Sequence, residues 1–194
     1  SLNGLLKPKK GDLYIDFEGY PFLTIGRNFE YLYGIWSNDK NESFTYYWSD
    51  DEEEEKNSFV SFIEKLLEHL ELYPDAKFYH YFSYEITSLR SSAQNFGMYE
   101  KELEQLIEKK CFIDLFTIVN SSLLIGASSY SLKTVEKLAG INRTEDLQSG
   151  MESIQYFEDY FFNEEHELKD LIIEYNKADC KNLYLLHDWL ASLL

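Results

Sequence analysis

Polar and apolar residues alternate along Asp12-Leu13-Tyr14-Ile15-Asp16-Phe17-Glu18, and Gly19 and Pro21 close the run. A period of two sends successive side chains to opposite faces, so this stretch predicts a β-strand. Two aromatic-rich segments follow, Glu30 to Trp36 and Ser43 to Trp48, separated by Asn38-Asp39-Lys40-Asn41-Glu42. They predict a β-hairpin. Beyond the hairpin the period lengthens: Phe59, Phe62, Ile63, Leu66, Leu67 and Leu70 recur at helical spacing. Lys77 to His80 predicts a short strand, Ser83 to Phe96 a helix ending at Gly97, and Glu100 to Lys109 a charged helix. Cys111 to Asp114 predicts another short strand, and Ser131 to Leu138 a helix opened by Ser and stopped by Gly140. Two more helices are expected around Glu152 to Phe161 and Glu165 to Leu190. Three strands in succession, then helices alternating with strands, predict an α/β domain. Its mixed five-stranded sheet would join a three-strand meander to parallel strands and be flanked by helices.

The 194 residues, 44% of them hydrophobic, suit one compact domain over 1–194 with a full-sized core. The chain opens on Ser1-Leu2-Asn3 without an initiator Met, so a piece of a larger protein is expected. No apolar run approaches the ~18 residues of a membrane span, and the start lacks the basic-then-apolar pattern of a secretion signal. The two cysteines, Cys111 and Cys180, form no C-x-x-C pattern. They argue against a zinc site or a disulfide framework and make a reducing cytoplasm the expected location.

Charge complicates any link to nucleic acid. A net charge of −17 repels phosphate backbones at long range, although Asp50-Asp51-Glu52-Glu53-Glu54-Glu55 concentrates part of it in a solvated loop or a helix start. The domain alone should not bind nucleic acid strongly.

Certain acids sit where acids are costly. Asp16 and Glu18, two apart, share one face of the first strand, which tends to become central once parallel partners join it. Two readings stand: an exposed face with ordinary acids, or a buried pair that needs a cation. In Tyr175-Asn176-Lys177-Ala178-Asp179, Tyr175 and Asp179 lie one turn apart on a helix face shared with Ile172, Leu183 and Leu186. In His80-Tyr81-Phe82-Ser83-Tyr84-Glu85 a strand end meets a helix start, where α/β sheets place ligands. Glu85 there also suits the helix dipole, His80 reads as a structural hydrogen-bonder or a ligand, and Asp114 as a helix cap or a supporting group.

Taken in order, these pieces resemble the DEDD exonucleases of the DnaQ-like superfamily. The D-x-E of their first motif is matched by Asp16 and Glu18, and the Y-x-x-x-D of their third by Tyr175 and Asp179. More closely, the chain looks like the YprB-like ribonuclease-H-like domains found near RecB-type nuclease and helicase modules. The H-Y-x-x-Y-E stretch from His80, Ile113-Asp114-Leu115, Ser129 to Lys133 and the S-G-M-E-S around Gly150 carry that resemblance. The second motif departs from the wider superfamily, offering Glu85 where an Asp is usual; glutamate is longer but can still ligate Mg²⁺ or Mn²⁺.

The resemblance implies a ribonuclease-H-like fold and a metal-dependent nuclease, a DEDDy-type 3′–5′ exonuclease acting on single-stranded DNA or RNA ends through two divalent ions, Mg²⁺ or Mn²⁺. Asp16 would bridge both ions, Glu18 and Asp179 would complete the first site, and Glu85 would serve the second. Tyr175 would orient the attacking water. His80, Asp114 and Lys133 are candidates for supporting the site or touching substrate. Tyr20, Phe22, Tyr81, Phe82 and Tyr84 are either core residues or stacking platforms for unpaired bases. A RecB-type nuclease or helicase module, in the same or another chain, is the expected partner. The rival reading is a catalytically weak or inactive module that keeps the fold and docks such a partner.

Overall fold

The computed structural model describes residues 7–38, 43–122, 129–143 and 150–193. Five strands, β1 (Leu13–Tyr20), β2 (Phe29–Ser37), β3 (Ser43–Trp48), β4 (Phe78–His80) and β5 (Phe112–Asp114), form one sheet in the order β3-β2-β1-β4-β5. The first three strands pair antiparallel, and β4 and β5 join β1 in parallel. The meander followed by parallel strands is the predicted mixed sheet, and β1 is its central strand. The expected turn from 39 to 42 lies outside the described residues.

Helices cover both faces. On one side α1 (Glu52–Leu72), α2 (Tyr84–Phe96) and α3 (Glu100–Glu108) bring Phe59, Phe62, Leu66, Leu89 and Leu103 onto Leu13, Ile15 and Phe17. On the other, α4 (Leu115–Ser122), α5 (Leu132–Leu138), α6 (Gly150–Asn163) and the 25-residue α7 (Leu168–Ser192) pack over the even-numbered residues of β1. Tyr14 bonds His187 of α7, and Tyr20 packs on Phe157 of α6. Asp16 and Glu18 lie between these two contacts on the same face. Among the described residues no helix is long and apolar enough to cross a membrane.

Two local readings needed the structure. Helix α4 was not foreseen, because Leu115-Phe116-Thr117-Ile118-Val119 is rich in residues that favour strands. Asp114 decides the matter: its carboxylate accepts from the Phe116 amide (2.9 Å) and the Thr117 hydroxyl (2.8 Å), capping a helix directly after β5. The acidic block is a helix start, as one reading had it, but its acids have separate tasks. Asp51 caps α1 by accepting from the Glu54 amide, and Asp50 accepts from the Trp48 indole and the Tyr160 hydroxyl. Glu55 is buried and takes both arms of the Arg27 guanidinium at 2.6 and 2.8 Å.

A second buried acid, Glu30, accepts from the Tyr84 hydroxyl at 3.0 and 2.9 Å. Both groups crowd the α-carbon of Gly19, where an added Cβ would overlap the Tyr84 hydroxyl, so the close approach needs glycine. Burial is the main cause that pushes the Glu30 carboxyl up to about 7 from an ordinary 4.5. Because the folded state holds this proton more tightly, Glu30 contributes stability below pH 4.5 that is lost as pH rises through about 7. Urea unfolding should therefore show Glu30→Gln flattening the fall in stability between pH 5 and 8, by roughly 3 kcal/mol at most. An unchanged pH profile would mean that Glu30 is ionised throughout.

Candidate metal centre

Strand β1 and helix α7 build the centre. Asp16 and Glu18 project from β1, Asp179 projects from α7, and one carboxylate oxygen from each lies within 4.8 Å of the others. Asp16 and Asp179 border a cleft of about 390 Å³ that is also lined by Tyr81, Phe82, Lys133, Arg143 and Tyr175. Of the four expected metal ligands, three are brought together. Glu85 stands outside the cluster, although its charge still raises the Asp16 carboxyl.

Each carboxylate is held by a partner that sequence reasoning did not single out. Asn176, one residue after Tyr175, donates from Nδ2 to Asp16 Oδ2 (2.8 Å) and to the Asp16 carbonyl (3.1 Å). It reaches them because β2 carries Gly34 opposite Asp16; a Cβ there would overlap the Asn176 side-chain oxygen. Ser153 of α6 donates to Glu18 Oε2 (2.7 Å) and shares a hydrogen bond with the Tyr31 hydroxyl (2.8 Å). A register shift after Glu18 leaves Tyr31 without a partner on β1, and both Tyr31 and Leu32 turn toward Phe157 and Ile172. This bulge aims Tyr31 at Ser153. Arg143 sits with Nη2 2.5 Å from Asp179 Oδ1 and grips buried Glu136 at 2.7 Å through both Nε and Nη2.

The electrostatics follow from burial of like charges. Asp16 is raised well above its ordinary value by desolvation, then by the charges of Asp179, Glu18 and Glu85. Glu18 is pushed up to about 8, again by desolvation first and Asp179 second. Asp179 is raised by desolvation despite the opposing pull of Arg143. Three carboxylates face one guanidinium that is already shared with buried Glu136, so negative charge is left over, and an all-oxygen donor set suits a hard divalent ion such as Mg²⁺ or Mn²⁺. The residues present fit such a cation.

The remaining candidates fall into two groups. His80 and Asp114 both hold the backbone of Phe82: His80 Nδ1 donates to its carbonyl (2.7 Å) and Asp114 accepts from its amide (2.9 Å). They fix Phe82 in a left-handed conformation with φ 70° and leave its ring 41% exposed in the cleft. With His80 Nδ1 so engaged, Glu85 Oε2 lies 3.3 Å away and is buried without a hydrogen bond. Lys133 and Tyr175 face the cleft, with the ammonium 4.9 Å from the ring centre. Burial and the charge of Arg143 pull the Lys133 pKa down, and burial pushes Tyr175 far up, so its hydroxyl keeps its proton. Of the five aromatics proposed for stacking, Tyr20, Tyr81 and Tyr84 are taken up by the interior, through Phe157 packing and through bonds to Tyr130 and Glu30. Phe22 and Phe82 are exposed.

Gly34→Ala should cost about 1–3 kcal/mol by forcing Asn176 off Asp16. Because the overlap is with the Asn176 side chain, the Gly34→Ala/Asn176→Ala double variant should lose less than the sum of the two single losses. Urea midpoints of the four proteins test this, and strict additivity would rule out the contact.

Residues 13–191 match the family profile described as RNase_H superfamily, a match that runs from the start of β1 nearly to the end of α7. No curated protein and no solved structure gives a significant match. The profile spans most of the chain, and the sheet order and the carboxylates on the central strand accord with it: the chain belongs to the RNase H superfamily.

Proposed function

We propose that this chain is a divalent-metal-dependent nuclease of the DEDDy, YprB-like kind, trimming single-stranded nucleic acid from the 3′ end. The reading rests on the convergence of Asp16, Glu18 and Asp179 within 4.8 Å, with Asp16 and Asp179 lining a cleft. Its superfamily generally hydrolyses phosphodiester bonds, which is the chemistry such a cluster suits.

Asp16, Glu18 and Asp179 would hold Mg²⁺ or Mn²⁺, with Glu85 Oε2 the nearby buried oxygen available to a second ion or to its water. Bound there, divalent ions supply an activated water and neutralise charge on the phosphodiester. The chain itself does the positioning. Asn176 and Ser153 fix the rotamers of Asp16 and Glu18, and the protonated Tyr175 hydroxyl can orient a water by hydrogen bonding but cannot act as a base near neutral pH. Phe82, pinned at its amide and carbonyl, offers a ring on which an unpaired terminal base can stack. That favours single strands as substrate.

One observation favours the second reading, an inactive module that docks a RecB-type nuclease or helicase. Glu85 replaces the usual Asp and stays outside the cluster, beside His80, while Arg143 already sits on Asp179. Metal binding separates the two. With Mn²⁺ at 100 times its dissociation constant, mass action adds about 2.7 kcal/mol, or roughly 5–10 °C in melting temperature for a domain this size. Wild type should show that rise together with cleavage of a single-stranded oligonucleotide, and Asp16→Asn should lose both. In metal-free buffer Asp16→Asn should melt no lower than wild type, because it removes a repelled charge. Equal Mn²⁺ shifts in the two proteins would refute the assignment of Asp16, and no shift in either would favour the docking module.

A further inference from the structure

The cleft has a cationic wall that the metal centre does not account for. Lys133 Nζ is buried yet has no hydrogen-bond partner, and Arg143 Nη1 is likewise buried and unpaired among the described residues. Both cations lie over the ring of Tyr175, Lys133 at 4.9 Å and the Arg143 guanidinium at 5.8 Å from its centre. The ring thus holds both cations near itself, and both residues line the same cleft that Asp16 and Asp179 border.

Local structure fixes this arrangement. Ser131 caps α5, and Val135 of that helix is wholly buried among Leu183, Leu186 and the α4 residues Leu115 and Val119. Glu136 is 1% exposed and takes the Nε and Nη2 of Arg143, with Nη2 also against Asp179. The Nη1 edge of the guanidinium is thus left over, while the side chain as a whole is only 7% exposed. A lysine near a surface ordinarily extends its ammonium into water. Lys133 instead keeps Nζ covered, and desolvated cationic donors without an acceptor are costly unless an anion completes them.

We infer that Lys133 and Arg143 form a phosphate-binding pair, which takes the non-bridging oxygens of a substrate phosphodiester beside the carboxylate cluster. This rests on the nuclease reading above. It explains how a chain of net charge −17 can admit a polyanion: the positive groups are concealed within the cleft and meet the strand only at the reacting end. The one nitrogen left over, Nη1, can donate to a phosphate oxygen, and the ammonium supplies a point charge in the same cleft.

The test uses the full chain, a single-stranded oligothymidylate, and Ca²⁺ in place of Mg²⁺ or Mn²⁺ so that binding is read without cleavage. Lys133→Met should weaken binding about tenfold and reduce the slope of log affinity against log salt by about 0.7, the share of one phosphate on a single strand. Lys133→Arg should restore most of both. A methylphosphonate walked along the oligonucleotide should weaken wild type at one position near the end, and Lys133→Met should be indifferent to that same substitution. Lys133→Met should keep the wild-type Mn²⁺ melting shift, which a damaged metal centre would not permit. If wild type binds and cleaves while Lys133→Met shows the same salt slope and methylphosphonate profile, the pair is not a phosphate site and the nuclease reading stands. If wild type neither binds the oligonucleotide nor cleaves it with Mn²⁺, both fail together.

Discussion

The crowding of like charges on a central strand governs this molecule. Asp16 and Glu18 point from β1 into the layer where Tyr14 and Tyr20 make core contacts, and Asp179 meets them from α7. Three carboxyl groups in so little space cannot all ionise cheaply without a cation. The surrounding fold answers with directed donors from three separate elements: Asn176 on α7, Ser153 on α6 and Arg143 after α5. Each sets a polar or positive group against one of the crowded carboxylates.

Backbone irregularities serve the same end. The bulge opposite the end of β1 turns Tyr31 toward Ser153, and the missing side chain at Gly34 lets α7 settle against β2 closely enough for Asn176 to reach Asp16. Both lie on β2, the antiparallel neighbour of the acid-bearing strand. The parallel neighbour β4 contributes differently, ending in the turn where His80 and Asp114 hold Phe82 in a left-handed conformation. One strand thus orients the acids and the other shapes the entrance to them.

How much of this could be read from sequence depended on whether a feature is local. Period-two alternation in β1 and the i, i+4 spacing of Tyr175 and Asp179 are short-range patterns, and both gave correct elements and residues that converge in space. Helix α4 escaped notice because its start is set by one capping carboxylate against the tendency of Ile118 and Val119. Asn176, Ser153 and Arg143 escaped because their partners lie 160, 135 and 36 residues away, a pairing visible only after the sheet and helices are assembled. The aromatics stayed open between core and stacking because Tyr84, at the start of α2, reads the same whether its hydroxyl meets water or, as it does, a buried carboxylate.

The acidic run at the start of α1 bears on what can be altered in this chain. Asp51 is the cap, Glu54 accepts from the Asp50 amide, Asp50 fastens Trp48 and Tyr160, and Glu55 closes on Arg27 beneath the helix. Only Glu52 and Glu53 are exposed without a comparable task. Someone wishing to recast the protein as a stronger nucleic-acid binder by erasing negative charge would find most of this block structural, and neutralising it wholesale would release the first helix from the sheet. The molecule's acidity is in this place part of its joinery, and room for electrostatic redesign lies in two glutamates rather than six acids.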